Sequence, residues 1–487
     1  MNEMDLVREV FHYQSRFAGS TMVFKVDFPV TADPAFPSLM KDLALLARTG
    51  FRVVIVPGAK EWIDSVLLEY GIVSRYAQAS AENAVAEGAA AEDTTTAPLR
   101  ITSAQAMPFV EMAAFHVATR FMTALSANHC DSVIGNFVRA RGLGVIGGRD
   151  MENTGRAEKI LTGPMGKILN LGMVPILPCI GWGPSGKPYN VPSDEIALAA
   201  ASALGAVKLF IVTSGTVLNP GASASGLIPA GLKLPADIET GENGRIIQLT
   251  PKETEAVLAL NTPVWAQNCA QTTGMQNSAQ AETAAAAKAA AELRLALAAS
   301  RAGVERIHII DGREEGAVLR ELFSNLGAGT MIYADEYEAI RPLKTEDIPD
   351  VLRIMEPLMQ QGILVRRCEE DIQEKKKDYY VFGIDGRAHA CAALHKWEDS
   401  PGSTAGEIAA IAVDSAYADM GLGSRIVRFL INRAAKEGMR RVFVLTTRTQ
   451  DWFETLGFKE SDPAALPEER KKTYNSGRKS KMYTLDL

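Results

Sequence analysis

Three apolar runs constrain this chain more than any other feature: TMVFKVDF at 21–28, FRVVIV at 51–56 and VKLFIVT at 207–213. None shows the polar alternation of a half-exposed strand, so they read as strands buried in a sheet. A fourth strand reads at 304–310 and a last one at 327–333. Helical stretches lie between them at 38–48, 60–70, 107–126, 159–171, 276–301 and 315–324. Strand and helix alternating over short connections give an α/β domain with a largely parallel sheet. Strands at 131–138 and 143–147 read as an excursion from that sheet. A strand at 173–179 leads through a hairpin-like loop to a helix opening at Ser193-Asp194. Residues 1–17 read as a helix with one apolar stripe, 77–97 as a surface insertion, and 218–250 as loop. The stretch 276–301 is Ala-dominated and reads as helix, because Ala has the best intrinsic helix propensity.

The pattern changes near residue 338. From there the chain reads as a helix that breaks near Gly362, then strands at 379–384 and 388–396 joined by Asp385-Gly386, a hairpin signal. A length of 487 residues suits two to four domains. The boundary gives domains 1–338 and 339–487. Net charge is −7, which disfavours nucleic acid and a polybasic membrane anchor. Five scattered cysteines with no C-x-x-C pair argue against a disulfide framework or a cysteine zinc site, and suit a cytoplasmic location. The six His show no metal-ligand spacing, so no metal is expected. No apolar run is long enough to span a bilayer.

The chemistry concentrates in Glu407–Phe458. An apolar strand enters the loop Asp419-Met420-Gly421-Leu422-Gly423-Ser424, which opens a helix with Ile426, Phe429, Leu430 and Ala434 at helical spacing. Two glycines let a backbone approach a ligand, and the helix start offers unpaired N–H groups suited to a pyrophosphate. A Gly-x-Gly before a helix is also a common plain turn, so the loop alone leaves both readings open.

With the upstream strand and the downstream Phe453, Gly457 and Phe458, this stretch resembles the GCN5-related N-acetyltransferases (GNAT). The resemblance implies acetyl-CoA as co-substrate, with the pyrophosphate on Met420, Gly421, Leu422, Gly423 and Ser424. Two neighbouring strands would splay to admit the pantetheine arm beside Ala410, Ile411 and Val413. Ala418 stands where that family usually has Gln or Arg. The segments GILVRR (362–367), ACAAL (390–394), GEIAAIAV (406–413), FVLTTRTQDWFETLGF (443–458) and LPEERKKTYNSGRKSK (466–481) further resemble the bacterial N-acetylglutamate synthases. That likeness implies L-glutamate as acceptor. Two carboxylates need cationic clamps, preferably Arg. The resemblance assigns Arg366 and Arg478, assisted by Ser480 and the backbone at Leu364. It gives Glu407, at the start of its strand, the role of base, and Thr446 a hydrogen bond to the leaving thiolate. Cys391 reads as core.

Residues 1–338 resemble the amino-acid kinase fold, a three-layer α/β/α domain, on FAGSTMVFKVD, FRVVIVPGAKEWID, YNVPSDEIALAAASALGAVKLFIVTS and RIHIIDGREEGAVLRELFSNLGAGTMI. The kinases carry Gly-Gly two residues after the first-strand Lys; here Lys25 is followed by Val26-Asp27-Phe28. A carboxylate there argues against ATP phosphates. The implied role is assembly into a homo-oligomer, with a hexamer favoured, and sensing of L-arginine through Tyr13, His308, Glu321, Gly329 and Thr330. The expected activity is acetyl transfer to L-glutamate, the first step of arginine synthesis. A bifunctional synthase-kinase and an amino-acid-sensing protein acetyltransferase stay open as alternatives.

Overall fold

The structure, a computed structural model, describes residues 17–77, 99–215, 234–235, 238, 245–269, 278–323, 328–333, 338–384, 387–400, 403–415, 417, 422–447, 450–478 and 480–487. The expected helix at 1–17 with Tyr13, the insertion at 77–97, most of the 218–250 loop, the Asp385-Gly386 turn and the stretch Ala418–Gly421 lie almost wholly outside the described residues. The chain divides into two compact units, Met1–Ala334 and Asp335–Leu487.

The first unit is built on eight strands: β1 (Thr21–Val26), β2 (Arg52–Pro57), β3 (Ser132–Ile134), β4 (Val174–Ile176), β5 (Lys208–Thr213), β6 (Gln248–Leu249), β7 (Arg306–Asp311) and β8 (Thr330–Tyr333). Their order in the sheet is β6-β8-β7-β5-β1-β2-β4-β3. β1 lies parallel between β2 and β5, and β8 runs antiparallel to β7. Every residue of β1 and β5 is buried. The pleat sends alternate side chains to opposite faces. Met22, Phe24 and Val26 pack with Leu43, Val110 and Phe121, while Val23, Leu209 and Ile211 pack with Ile196 and Leu293. Helices Phe36–Arg48, Lys60–Glu69 and Met107–Ala127 cover the first face. Helices Thr162–Asn170, Ser193–Ala203 and Ser278–Arg301 cover the second. Each such apolar side chain contributes about 1.5–3 kcal/mol by leaving water.

Two local expectations are corrected and one helix is added. The strand read at 131–138 is two strands in different sheets: β3, and Val138–Gly142 in a four-stranded side sheet. The break falls at Gly135, where an added Cβ would lie 2.6 Å from the Phe137 ring. The helix read at 159–171 begins only at Thr162, and its start belongs to the side-sheet strand Gly155–Ile160. A helix at Pro251–Cys269 has no counterpart in the sequence reading.

The second unit holds seven strands: β9 (Glu338–Pro342), β10 (Tyr379–Ile384), β11 (Arg387–Ser400), β12 (Ser403–Val413), β13 (Arg441–Thr446), β14 (Lys459–Ser461) and β15 (Lys481–Asp486), ordered β9-β10-β11-β12-β13-β15-β14. All neighbours are antiparallel except β12 and β13. Helix α1 (Ile348–Gln360) packs Val351, Ile354 and Met355 on one face, against Cys391, Ala393, Ala410 and Ala412. Helix α2 (Leu422–Lys436) packs Ile426, Leu430 and Ala434 on the other, against Leu394, Ile408, Val442 and Val444.

Candidate active site

Strand β12 organises the site through two departures from regular pairing. It pairs with β13 only over Ala405–Glu407 against Arg441–Phe443, although β12 continues to Val413 and β13 to Thr446. Beyond Glu407 the two strands diverge, and their facing N–H and C=O groups have no ladder partner across the gap. The second departure is a bulge. Cys391 and Ala393 of β11, two apart, face Ala412 and Ala409 of β12, three apart, and Ala410 has φ +55. An extra residue on one strand bends it and reverses which side chains face which layer. Before the bulge Ile408 faces α2 and Ala405 faces away; after it Ala410 and Ala412 face α1. The bulge thus leaves Ala410 and Ile411 outside the regular β11–β12 register, a few residues beyond the last β12–β13 pair. The first turn of α2, with Leu422, Gly423 and Ser424, follows β12 in the chain. An added Cβ at Gly423 would lie 3.4 Å from Trp452 and 3.5 Å from Val413, so this helix start packs close to the strand end.

Glu407 is buried in the fifth position of β12, not at the strand start expected from sequence, because the β11–β12 hairpin extends to Ser400 and Ser403. Its carboxylate is held on three sides. Arg470 donates from Nε to Oε2 at 2.7 Å and from Nη2 to Oε1 at 2.9 Å. Trp397 Nε1 donates to Oε2 at 3.0 Å. Neither partner was expected. Arg470 lies inside the charge run EERKK, which looks like solvated surface, and the only hint for Trp397 is a lone indole among polar residues in HKWEDS. Thr446 is buried at the end of β13, three residues beyond the Phe443 that pairs with Glu407, about 10 Å along the strand. Cys391 is fully buried and burial pushes its thiol up to about 12, which leaves it in the core role read from sequence.

The acceptor candidates meet across a long sequence separation. Arg478 Nη2 donates to the carbonyls of Gly362 at 2.8 Å and Ile363 at 2.9 Å. That brings the C-terminal tail against the segment carrying Leu364 and Arg366. Leu364 is half-buried against the cluster that holds Ala410 and Ala412. Arg366 is exposed and has no ion-pair partner among the described residues. The Ser480 carbonyl accepts from Tyr474 Oη at 2.8 Å. Met420 and Gly421 lie outside the described residues.

In the first unit, His308, Glu321, Gly329 and Thr330 come together between β7 and β8. His308 Nδ1 and Glu321 Oε1 are 2.7 Å apart, and Glu321 Oε2 accepts from the amides of Ala328 at 2.6 Å and Gly329 at 2.8 Å. Lys208 Nζ lies 3.2 Å from His308 Nε2. Burial, with the Lys208 cation adding, pushes the imidazole down to about 4. Burial opposes ionisation of Glu321, but His308 and the two amides outweigh it and hold the carboxyl below its usual range. Thr330 Oγ1 donates to the Ile246 carbonyl at 2.6 Å. Tyr13 lies outside the described residues.

At the C-terminal ends of β1 and β5, Lys25 Nζ contacts Asp27 at 2.6 Å and Asp194 at 2.9 Å, and Lys288 Nζ lies 3.3 Å from Asp27. Burial works against the Lys25 ammonium, but the Asp194 and Asp27 carboxylates outweigh it and leave its pKa raised. Asp27 therefore occupies the position from which two lysines could otherwise hold an anion. Among the described residues, no group of three His, Cys, Asp or Glu could hold a metal ion. No described helix is long and apolar enough to cross a membrane.

Residues 28–216 match the amino acid kinase family, and residues 348–458 match the acetyltransferase (GNAT) family. The amino-acid acetyltransferase of Pseudomonas paraeruginosa is 31% identical over 463 residues, covering 93% of this chain and 92% of its own. That of Edwardsiella ictaluri is 30% identical over 486 residues, covering 98% and 96%. Among solved structures, the N-acetylglutamate synthase of Neisseria gonorrhoeae complexed with coenzyme A and L-arginine is similar over 100% of both chains, at 27% identity and a TM-score of 0.72. The same enzyme complexed with coenzyme A and N-acetyl-glutamate is similar over 100% of both chains with a TM-score of 0.56.

Proposed function

We propose, from the premise that this chain belongs to the amino-acid acetyltransferase family, that it transfers acetyl from acetyl-CoA to L-glutamate at the β12–β13 gap, with Glu407 as base. The observation that carries this reading is the gap itself, which opens immediately after Glu407 and lies beside the bulge at Ala410 and Ile411. The start of α2 and the preceding loop, with Met420 and Gly421, take the pyrophosphate of acetyl-CoA; the extended arm lies along Val413 and Ile411 in the gap. Arg366 and Arg478 hold the two carboxylates of glutamate, with Leu364 and Ser480 lining the same pocket. The neighbour from N. gonorrhoeae, bound to coenzyme A and N-acetyl-glutamate, supports this choice of substrates.

The chemistry then follows from the groups present. The amine is an ammonium near neutral pH and must lose a proton before it can attack. Glu407 takes that proton, directly or through one water. The amine nitrogen bonds to the thioester carbon, and the oxygen that becomes negative is stabilised by the amides of Ala410 and Ile411. Collapse breaks the C–S bond, and the Thr446 hydroxyl donates a hydrogen bond to the departing thiolate.

The first unit senses L-arginine at His308, Glu321, Gly329 and Thr330 together with Tyr13, and mediates a homo-oligomer, for which a hexamer is favoured. The complex of the N. gonorrhoeae enzyme with L-arginine supports the effector. The first unit does not transfer phosphate in this reading, because Asp27 and Asp194 already neutralise Lys25 and Lys288. The protein acts in the cytoplasm and engages neither nucleic acid nor membrane. The decisive assay is coenzyme A release from acetyl-CoA with each free amino acid in turn, with and without arginine. Glutamate is expected to be the preferred acceptor and arginine to change its rate. Turnover of lysine-containing peptides with none of free glutamate overturns the reading.

A further inference from the structure

Arg470 lies in a helix of only five residues, Glu468–Lys472, within a run of charges. Its neighbour Lys471 does what surface lysines do and pairs with exposed Glu468. Arg470 does the opposite. Its side chain is 18% exposed and meets a Glu407 side chain that is 6% exposed. The guanidinium donates two near-parallel bonds, one to each carboxylate oxygen, and Trp397 adds a third to Oε2. Arg470 is fixed in turn by Nη1, 3.0 Å from Thr473 Oγ1, and by the Trp397 ring 5.8 Å from its Cζ.

Two consequences follow from this geometry. An ionised carboxylate has about four acceptor sites. Oε2 takes two bonds and Oε1 takes one, so Oε1 keeps a lone pair in a carboxylate whose plane the arginine fork has set. Eight residues after Arg470, Arg478 is docked on the Gly362 and Ile363 carbonyls. One short tail therefore holds the proposed base at one end and a proposed substrate clamp at the other.

We propose that Arg470 is the positioning residue of Glu407: it sets Oε1 as the proton-accepting atom. This rests on the reading of Glu407 as base. Arg470 itself touches no substrate. Misplacement of a reacting group by about 1 Å costs on the order of 100-fold in rate.

The test uses the full chain, with coenzyme A release measured against varied glutamate and varied acetyl-CoA. Arg470→Ala is expected to lower kcat by roughly 10- to 100-fold with both KM values kept. Arg470→Lys, which restores the charge but not the fork, is expected to recover part of that loss. Trp397→Phe, which removes one donor and keeps the ring, is expected to lower kcat less than Arg470→Ala. A wild-type kcat in Arg470→Ala overturns the proposal. So does a raised glutamate KM at unchanged kcat, which makes Arg470 a substrate clamp. If Arg470→Ala does not fold, Arg470→Lys and Trp397→Phe decide, and unchanged kcat in both overturns it. Glu407→Gln separates the two levels. If it retains wild-type kcat, the base assignment itself fails. If it loses kcat while Arg470→Ala does not, only the positioning role fails.

Discussion

At the scale of single residues, the acceptor site depends on charges whose roles differ by what already holds them. Arg478 spends Nη2 on two carbonyls, which orients the guanidinium and leaves Nε and Nη1 without a partner among the described residues. Such a preset fork suits a carboxylate. Arg478→Ala is expected to raise the glutamate KM by roughly 10- to 100-fold, the range for losing a hydrogen-bonded charge contact, with acetyl-CoA binding kept. Steady-state kinetics with each substrate varied checks this. The candidates for this site could be named from sequence because each type suits its proposed task in a recognisable segment. The partners of Glu407 were not, because nothing in LPEERKKT distinguishes an arginine that reaches 63 positions back from its exposed neighbours.

At the scale of elements, the proposed oxyanion site rests on the bulge in β12. Ala410 at φ +55 sits where a side chain with a branched Cβ is strained. Ala410→Val is expected to lose roughly 1–3 kcal/mol of stability and to lower kcat, because the bulge relaxes and its amides turn back. Ala410→Gly, which adopts this φ without strain, is expected to keep both. Urea melts beside the kinetic assay distinguish the pair. GEIAAIAV reads as a strand but does not announce the bulge, since its three alanines and two isoleucines fit either register locally. The pairing partner ACAAL fixes it: Cys391 faces α1 with Ala412 while Leu394 faces α2 with Ile408, and only one extra residue in β12 lets both pairs form. The strands of the first unit were more legible, since apolar runs without alternation have no stable place except between two helical layers.

At the scale of the whole molecule, each unit has its own apolar clusters, and the first carries a buried charge network at the ends of β1 and β5. Glu292, on the Ala-rich helix beside that network, is pushed up from 4.5 to about 7, chiefly by burial. The folded chain thus keeps a proton that the unfolded chain has released, so stability falls as pH rises from about 4.5 to about 7. Glu292→Gln removes this cost and is expected to stabilise the protein by up to about 3 kcal/mol at pH 8, at 1.36 kcal/mol per pH unit. The gain is expected to vanish near pH 4, where both carboxyls are protonated. Calorimetry of both proteins across this range checks the sign; a gap that does not change with pH refutes it. His308, held down to about 4, acts oppositely but equally in both proteins and cancels. The sequence by itself was enough for the two α/β units, because buried periodicity is a local property, and its resemblance to known families was enough for the acetyl-transfer chemistry. Only the tertiary structure decided the bulge at Ala410, the Arg470 clamp on Glu407, the docking of Arg478, and the contacts of Lys25 with Asp194 and of Lys288 with Asp27. Each of these is a contact between segments far apart in the chain, and such contacts are set by packing and burial rather than by any residue's own preference.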